Sequence, residues 1–139
     1  MNIGAAAEAS GVSAKMIRYY EEIGLMKAAR RANGYRDYGT REIHELRFIG
    51  RARSLGFSME EIAALVSLWR DSGRPSREVR RIAAEHLAQL EIRAAEIQSM
   101  TQALRGMVRA CHGDDRPDCP ILDDLSQSAR RKAALKSAQ

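Results

Sequence analysis

Along the first 70 residues, apolar positions come in short bursts at helical spacing, each closed by a glycine. Residues 3–10 read as a short Ala-rich helix with Gly11 at its C-cap. Ser13 is a good N-cap for a second helix running to about Ile23, and Gly24 stops it. Two short helices joined by a glycine-containing turn of about three residues make a helix-turn-helix. Its small core is predicted at Ala5, Ala9, Val12, Ile17 and Leu25. Residues 27–38 break the helical period, and Asn33-Gly34 is a strong hairpin signal. They predict a two-stranded wing, with Arg31 and Arg36 flanking the turn and Tyr35 and Tyr38 on the far arm. Thr40 is placed as the cap of a third helix carrying Ile43, Leu46, Ile49 and Ala52 at helical spacing, with Gly56 ending it. Ser58 and Glu61 form a capping box for a fourth helix, to about Trp69.

Beyond the linker DSGRP at 71–75 the pattern changes. Residues 76–110 contain no Pro and one Gly, Gly106, and would span roughly 52 Å as a single helix. Ala83, Leu87, Leu90, Ala94, Ile97, Thr101, Leu104 and Val108 alternate spacings of four and three, which is a coiled-coil seam broken only by Thr101. Such a seam outruns the 70-residue head, so a second copy of the chain is its natural partner. Residues 111–119, CHGDDRPDC, form a polar loop, and 120–125 read as one or two further helical turns. The pattern divides the chain into a head at 1–70, the linker at 71–75, a dimerisation helix at 76–110 and a loop with a short helix at 111–126. Residues 127–139 carry little apolar mass and are expected to be a disordered basic tail.

Composition narrows the class. Apolar residues make up 45% of the 139-residue chain and aromatic residues 5%, a mix that favours helices. No stretch approaches the roughly 18 apolar residues of a membrane span, and MNIGAAAEAS has no signal-peptide pattern, so a cytoplasmic protein with no membrane partner is expected. There, two thiols close in sequence suggest metal or redox chemistry more than a structural disulfide. The net charge of +5 is compatible with a polyanion partner without demanding one. It splits into +3 over residues 1–70, −2 over 71–126 and +4 over 127–139. No nucleophile–base constellation, phosphate loop or paired catalytic carboxylates stand out, so an enzyme is not expected.

On the second helix Lys15, Arg18 and Tyr19 share one face, and a basic face near the start of such a helix is what major-groove entry requires. Arg can bond guanine bidentately or contact phosphate. Tyr20 offers a hydroxyl to phosphate, and Arg31 and Arg36 in the wing would reach the flanking backbone. Three segments in order, IRYYEEIGL at 17–25, NGYRDY at 33–38 and RARSLGFSMEEI at 51–62, resemble the MerR family of bacterial transcription regulators, a likeness running from residue 1 to about 125. The resemblance implies a winged helix-turn-helix, a homodimer built through an antiparallel coiled coil, and binding to double-stranded promoter DNA. It also implies activation by distorting an overlong promoter spacer for RNA polymerase. It places Lys15, Arg18, Tyr20, Tyr35, Arg36 and Arg53 where the family touches DNA, and leaves Tyr19 and Tyr38 to pack between helix and wing.

Cys111 and Cys119 enclose seven residues, including His112, Asp114, Asp115 and Asp118. Thiolates select soft ions. Two thiolates alone suit a two-coordinate monovalent ion, Cu(I), Ag(I) or Au(I); with His112 or a carboxylate they suit four-coordinate zinc. The antiparallel pairing that the resemblance implies sets Ser76 of one chain against the partner's loop. A Cys there would supply a third thiolate for Zn(II), Hg(II), Pb(II) or Cd(II), whereas Ser76 offers a neutral hydroxyl. CHGDDRPDCP is similar to the copper-responsive branch of the family, whose members pair a Cys-x7-Cys loop with Ser at this position, although His112 stands where that branch often has Pro. The expectation is therefore a mainly α protein: a winged helix-turn-helix, a long dimerisation helix and a C-terminal metal-binding loop. Its expected function is to activate copper efflux or detoxification genes in response to Cu(I), Ag(I) or Au(I). A divalent soft-metal sensor and a thiol redox sensor are the alternatives.

Overall fold

The structure is a computed structural model in which residues 1–127 are described; the expected basic tail, from Ser128 onward, lies outside them. The chain forms two compact units, Met1–His86 and one from Leu87 onward. The first holds α1 (Ile3–Ser10), α2 (Ala14–Glu22), the strands β1 (Ala29–Arg30) and β2 (Arg36–Asp37), α3 (Thr40–Ser54) and α4 (Met59–Arg70). It also takes the first turns of α5 (Ser76–Ala110).

The helices start where polar side chains satisfy their first N–H groups. Asn2 accepts from the amide of Ala5, Ser13 from that of Met16 and Ser58 from that of Glu61. The Glu61 carboxylate returns the bond to the Ser58 amide at 2.9 Å, closing the capping box. The third helix departs from the expectation. Gly39, not Thr40, is its N-cap, and the Glu42 carboxylate accepts from the Gly39 amide at 2.9 Å. Gly39 has no side-chain oxygen to offer, so the reciprocal half of a capping box suffices.

The core of this unit gathers Ile17, Tyr20, Leu46, Ile49, Ile62 and Val66, all essentially inaccessible. Fully burying each aliphatic one contributes about 1.5–3 kcal/mol. On α1 the buried residue is Ala6 rather than Ala5, because in a run of alanines the pattern does not fix the helical phase. Arg47 spans to the end of α1, its Nε and a terminal nitrogen both donating to the Ala9 carbonyl. The one buried acid among the described residues, Glu45, is held by Arg70 at 3.0 Å, and Arg70 also donates to the Leu25 carbonyl. That bracket ties α4 to α3 and to the segment after α2.

The wing pairs Ala29 with Asp37 and Arg30 with Arg36 in antiparallel register. Its tip is a three-residue loop, Ala32-Asn33-Gly34, not a two-residue Asn-Gly turn. The Gly34 amide donates to the Arg31 carbonyl, the Arg31 amide donates to the Tyr35 carbonyl, and only Gly34 has a positive φ, of 84°. Asn33 keeps a negative φ and uses its side chain to accept from the Tyr35 amide.

In the second unit, α5 continues to Ala110 with no proline. Leu87, Leu90, Ile97, Leu104 and Val108 of the seam are exposed in the single chain. A loop at 111–119 leads to helical residues 120–127. No described helix is long and apolar enough to cross a membrane.

Candidate nucleic-acid interface and thiol loop

The second helix turns Lys15, Arg18 and Tyr19 outward and buries Ile17 and Tyr20. This reverses the expected roles of the adjacent tyrosines. Tyr19 is 42% exposed, whereas Tyr20 is 1% exposed. The cause is helical phase: Ile17 and Tyr20 lie three residues apart on the core side. Tyr20 keeps a polar handle at its ring's far end, where the hydroxyl accepts from Arg53 at 3.0 Å. Two candidate DNA contacts, one on α2 and one at the end of α3, are thereby brought together. The Tyr20 oxygen is already occupied as an acceptor, so its hydroxyl proton is what remains to offer a phosphate.

The wing is fixed to α2 by a carboxylate that the sequence pattern does not single out. Glu21 accepts from the Tyr38 hydroxyl with one oxygen and lies 2.8 Å from Arg36 Nε with the other. The Arg36 N–H is not aimed along a hydrogen-bond line, so this contact is a charge pairing. Arg36, expected to reach out to the DNA backbone, is thus anchored inward at Nε. Tyr38 is fully buried between helix and wing, as expected. Burial first, and then the bond to Glu21, holds its phenol far above the ordinary tyrosine range. At the tip, Arg31 pairs with Asp37 at 3.3 Å and Arg30 donates to the Gly34 carbonyl at 3.0 Å. Tyr35 is 71% exposed, a large ring presented to solvent beside these arginines.

Between α2 and the wing lies a cleft of about 630 Å³, walled by Arg18, Lys27, Arg30 and Arg36 with Glu21 and Glu22. Four cations against two acids, one of them engaged by Arg36 and Tyr38, leave a positive concavity suited to a polyanion. Lys27 and Arg30 were not among the expected DNA contacts. They sit where the helical period breaks, and only the fold brings them beside Arg18.

The two cysteines occupy helix ends. The Cys111 amide donates to the carbonyls of Met107 and Val108, extending the last turn of α5. The Cys119 carbonyl accepts from the Asp123 amide, opening the helical segment at 120–127. Both thiols are free and half-buried. The loop between them is shaped by Gly113, at φ 64°, and by Asp114, which accepts from the backbone amide and Nε of Arg116. Those bonds hold the Asp114 carboxyl below its ordinary range. His112 is exposed. Among the described residues no three His, Cys, Asp or Glu side chains gather as a metal site. Two free thiols on one loop are donors of the kind that suit a soft cation more than a hard one. Ser76 opens α5, in the first compact unit, and is exposed.

Comparison with known proteins agrees along the chain. The family described as MerR HTH family regulatory protein matches residues 1–69, and the one described as MerR, DNA binding, matches residues 43–107. The HTH-type transcriptional regulator HmrR of Sinorhizobium medicae is 55% identical over 128 residues, covering 91% of this chain and 87% of that one. The HTH-type transcriptional regulator CueR of Salmonella typhi is 42% identical over 134 residues, covering 96% and 97%. The crystal structure of the transcription regulator PbrR691 from Ralstonia metallidurans in complex with lead(II) is similar in fold. It superposes with a TM-score of 0.76 at 27% identity, over 90% of this chain and 98% of the other.

Proposed function

The chain belongs to the MerR family of transcription regulators and is a metal-responsive member of it, not an enzyme, and from that premise we propose that the ion it senses is Cu(I), or Ag(I) or Au(I). The observation that carries this reading is the pair of free, half-buried thiols at Cys111 and Cys119, each seated at a helix end, with no cluster of three His, Cys, Asp or Glu side chains among the described residues. Two thiolates and a monovalent ion carry a net charge of −1; a third thiolate would be needed to favour larger divalent soft ions. Ser76, brought to the partner's loop by an antiparallel dimer, supplies a hydroxyl and no thiolate. His112 stands outside the pair as a neighbouring imidazole.

In this account Cys111 and Cys119 give up their protons and hold the ion. The exposed seam of α5 pairs with that of a second copy, and the two heads bind one promoter. Lys15, Arg18 and Arg53 meet the DNA from the helix-turn-helix, with Tyr20 orienting Arg53. Arg31, Tyr35 and Arg36 meet it from the wing. Ion binding changes the promoter spacer so that RNA polymerase reads genes of copper efflux or detoxification. The protein works in the cytoplasm. The second reading is a divalent sensor, favoured by the lead(II) complex of the similar PbrR691.

The test separates reading head from sensor. Cys111→Ser and Cys119→Ser are expected to abolish the metal-induced rise in transcription while operator affinity in a gel-shift titration stays within about twofold, because the thiols lie outside the head. Full copper induction by either variant would sink the assignment.

A further inference from the structure

Apart from the tyrosines Tyr20 and Tyr38, the buried ionisable side chains of the first unit are Glu45 and His86. Glu45 is accounted for by Arg70 and Arg41. His86 belongs to neither the cleft nor the thiol loop. It stands in the third turn of α5 and is 4% exposed. Its Nε2 lies 2.7 Å from the Leu55 carbonyl. A carbonyl only accepts, so Nε2 carries the proton and donates. Leu55 is the C-cap of α3, so the imidazole satisfies a carbonyl that the end of a helix leaves without a partner.

The same ring stacks on Phe57, with centroids 4.2 Å apart and planes at 28°. Its Nδ1 makes no hydrogen bond among the described residues and lies 3.9 Å from Glu61 Oε2. Glu61 is the carboxylate that closes the capping box of α4. One side chain of α5 therefore touches the C-cap of α3, the turn after it and the first turn of α4. Two residues before Leu55, on the same end of α3, Arg53 reaches the Tyr20 hydroxyl of α2. Ile82, one turn earlier on α5, is buried beside the same unit and gives the helix an apolar footing there.

We propose that His86 is the positioning residue that couples α5 to the DNA-reading helices, through its bond to the Leu55 carbonyl and the Arg53–Tyr20 contact beyond it. The inference rests on the reading proposed above, that an ion at the thiol loop changes transcription; α5 is the element that runs from the first unit to that loop. A shift or rotation of α5 that keeps the His86–Leu55 bond must move the end of α3, and with it Arg53. If the donor is lost, α5 can move while α3 stays.

The test uses the full-length protein as wild type, His86→Leu and His86→Gln. Leu keeps apolar bulk without a donor; Gln restores a donor on a flexible stem. Operator affinity without metal, thermal unfolding, and the induction ratio in run-off transcription are measured with Cu(I), Zn(II), Pb(II) and Hg(II) each added alone. For whichever ion induces the wild type, His86→Leu is expected to lower the induction ratio about fivefold or more while metal-free operator affinity is kept. His86→Gln is expected to recover most of it. Full induction by His86→Leu would overturn the coupling role. So would a parallel loss of operator affinity and induction, or failure of His86→Gln to rescue in a folded protein. Induction of the wild type by Zn(II) or Pb(II) instead of Cu(I) would sink the monovalent assignment and leave His86 to be judged on the inducing ion. No induction by any ion overturns both.

Discussion

Glu21 ties the wing to α2, because one of its oxygens accepts from the Tyr38 hydroxyl and the other pairs with Arg36. This makes stability depend on alkaline pH in a definite direction. The Tyr38 phenol is raised from its ordinary 10.0 in the folded chain, by burial first and then by the Glu21 bond. Above pH 10 the unfolded chain loses this proton more readily, binds fewer protons than the native state, and stability falls as pH rises. Tyr38→Phe is expected to remove that fall and to cost about 1 kcal/mol at neutral pH through the lost hydrogen bond. Urea melts of both proteins at about pH 7 and about pH 11 check it; parallel loss of stability in the two would contradict it. Sequence reasoning reached Tyr38 as packing but gave Tyr19 the buried place that Tyr20 holds. Adjacent aromatic residues carry the same hydropathy, and only the phase set by Ile17 separates them. Arg36 was legible as a wing cation, but its ion pair was not, since no pattern links positions 21 and 36 before the chain folds.

At the scale of elements, the starts and stops of helices were readable because capping is local. Ser13, Ser58 and Glu61 act within three residues of where they stand. The hairpin was readable too, but its loop length was not: Asn33-Gly34 fits both a two-residue turn and the end of a three-residue one, and the strand register decides. The long helix is the clearest case of a pattern that predicts both an element and its need. Leu87, Leu90, Ile97, Leu104 and Val108 are exposed in one chain, and a second copy is the proposed cover. Ile97→Glu places a charge in the middle of that seam. It is expected to weaken dimerisation by about 3 kcal/mol or more, over a hundredfold, as seen by sedimentation, because a charge in an apolar interface loses its hydration. An unchanged dimer would mean that a different face pairs. What the seam did not reveal is the footing of α5 on the head, because His86 is polar and drops out of an apolar count although it is buried.

For the whole molecule, net charge proved a poor guide. The excess of +3 over residues 1–70 says little until the fold draws Arg18, Lys27, Arg30 and Arg36 around one cleft. The thiol loop is the reverse case, since the thiols were visible at once from their spacing while their chemistry depends on what else approaches them. On one chain nothing further gathers among the described residues, and in the proposed antiparallel dimer the partner would bring only Ser76. The central claim, that two thiolates hold a monovalent ion, is tested most directly by titrating the reduced dimer with Cu(I) and then competing with Zn(II), with X-ray absorption on the loaded protein. The account predicts one Cu(I) per Cys111–Cys119 pair, two sulfur ligands on the metal, and no displacement by excess Zn(II). Stoichiometric Zn(II) binding that expels Cu(I), or a metal carrying a nitrogen ligand from His112, would contradict it.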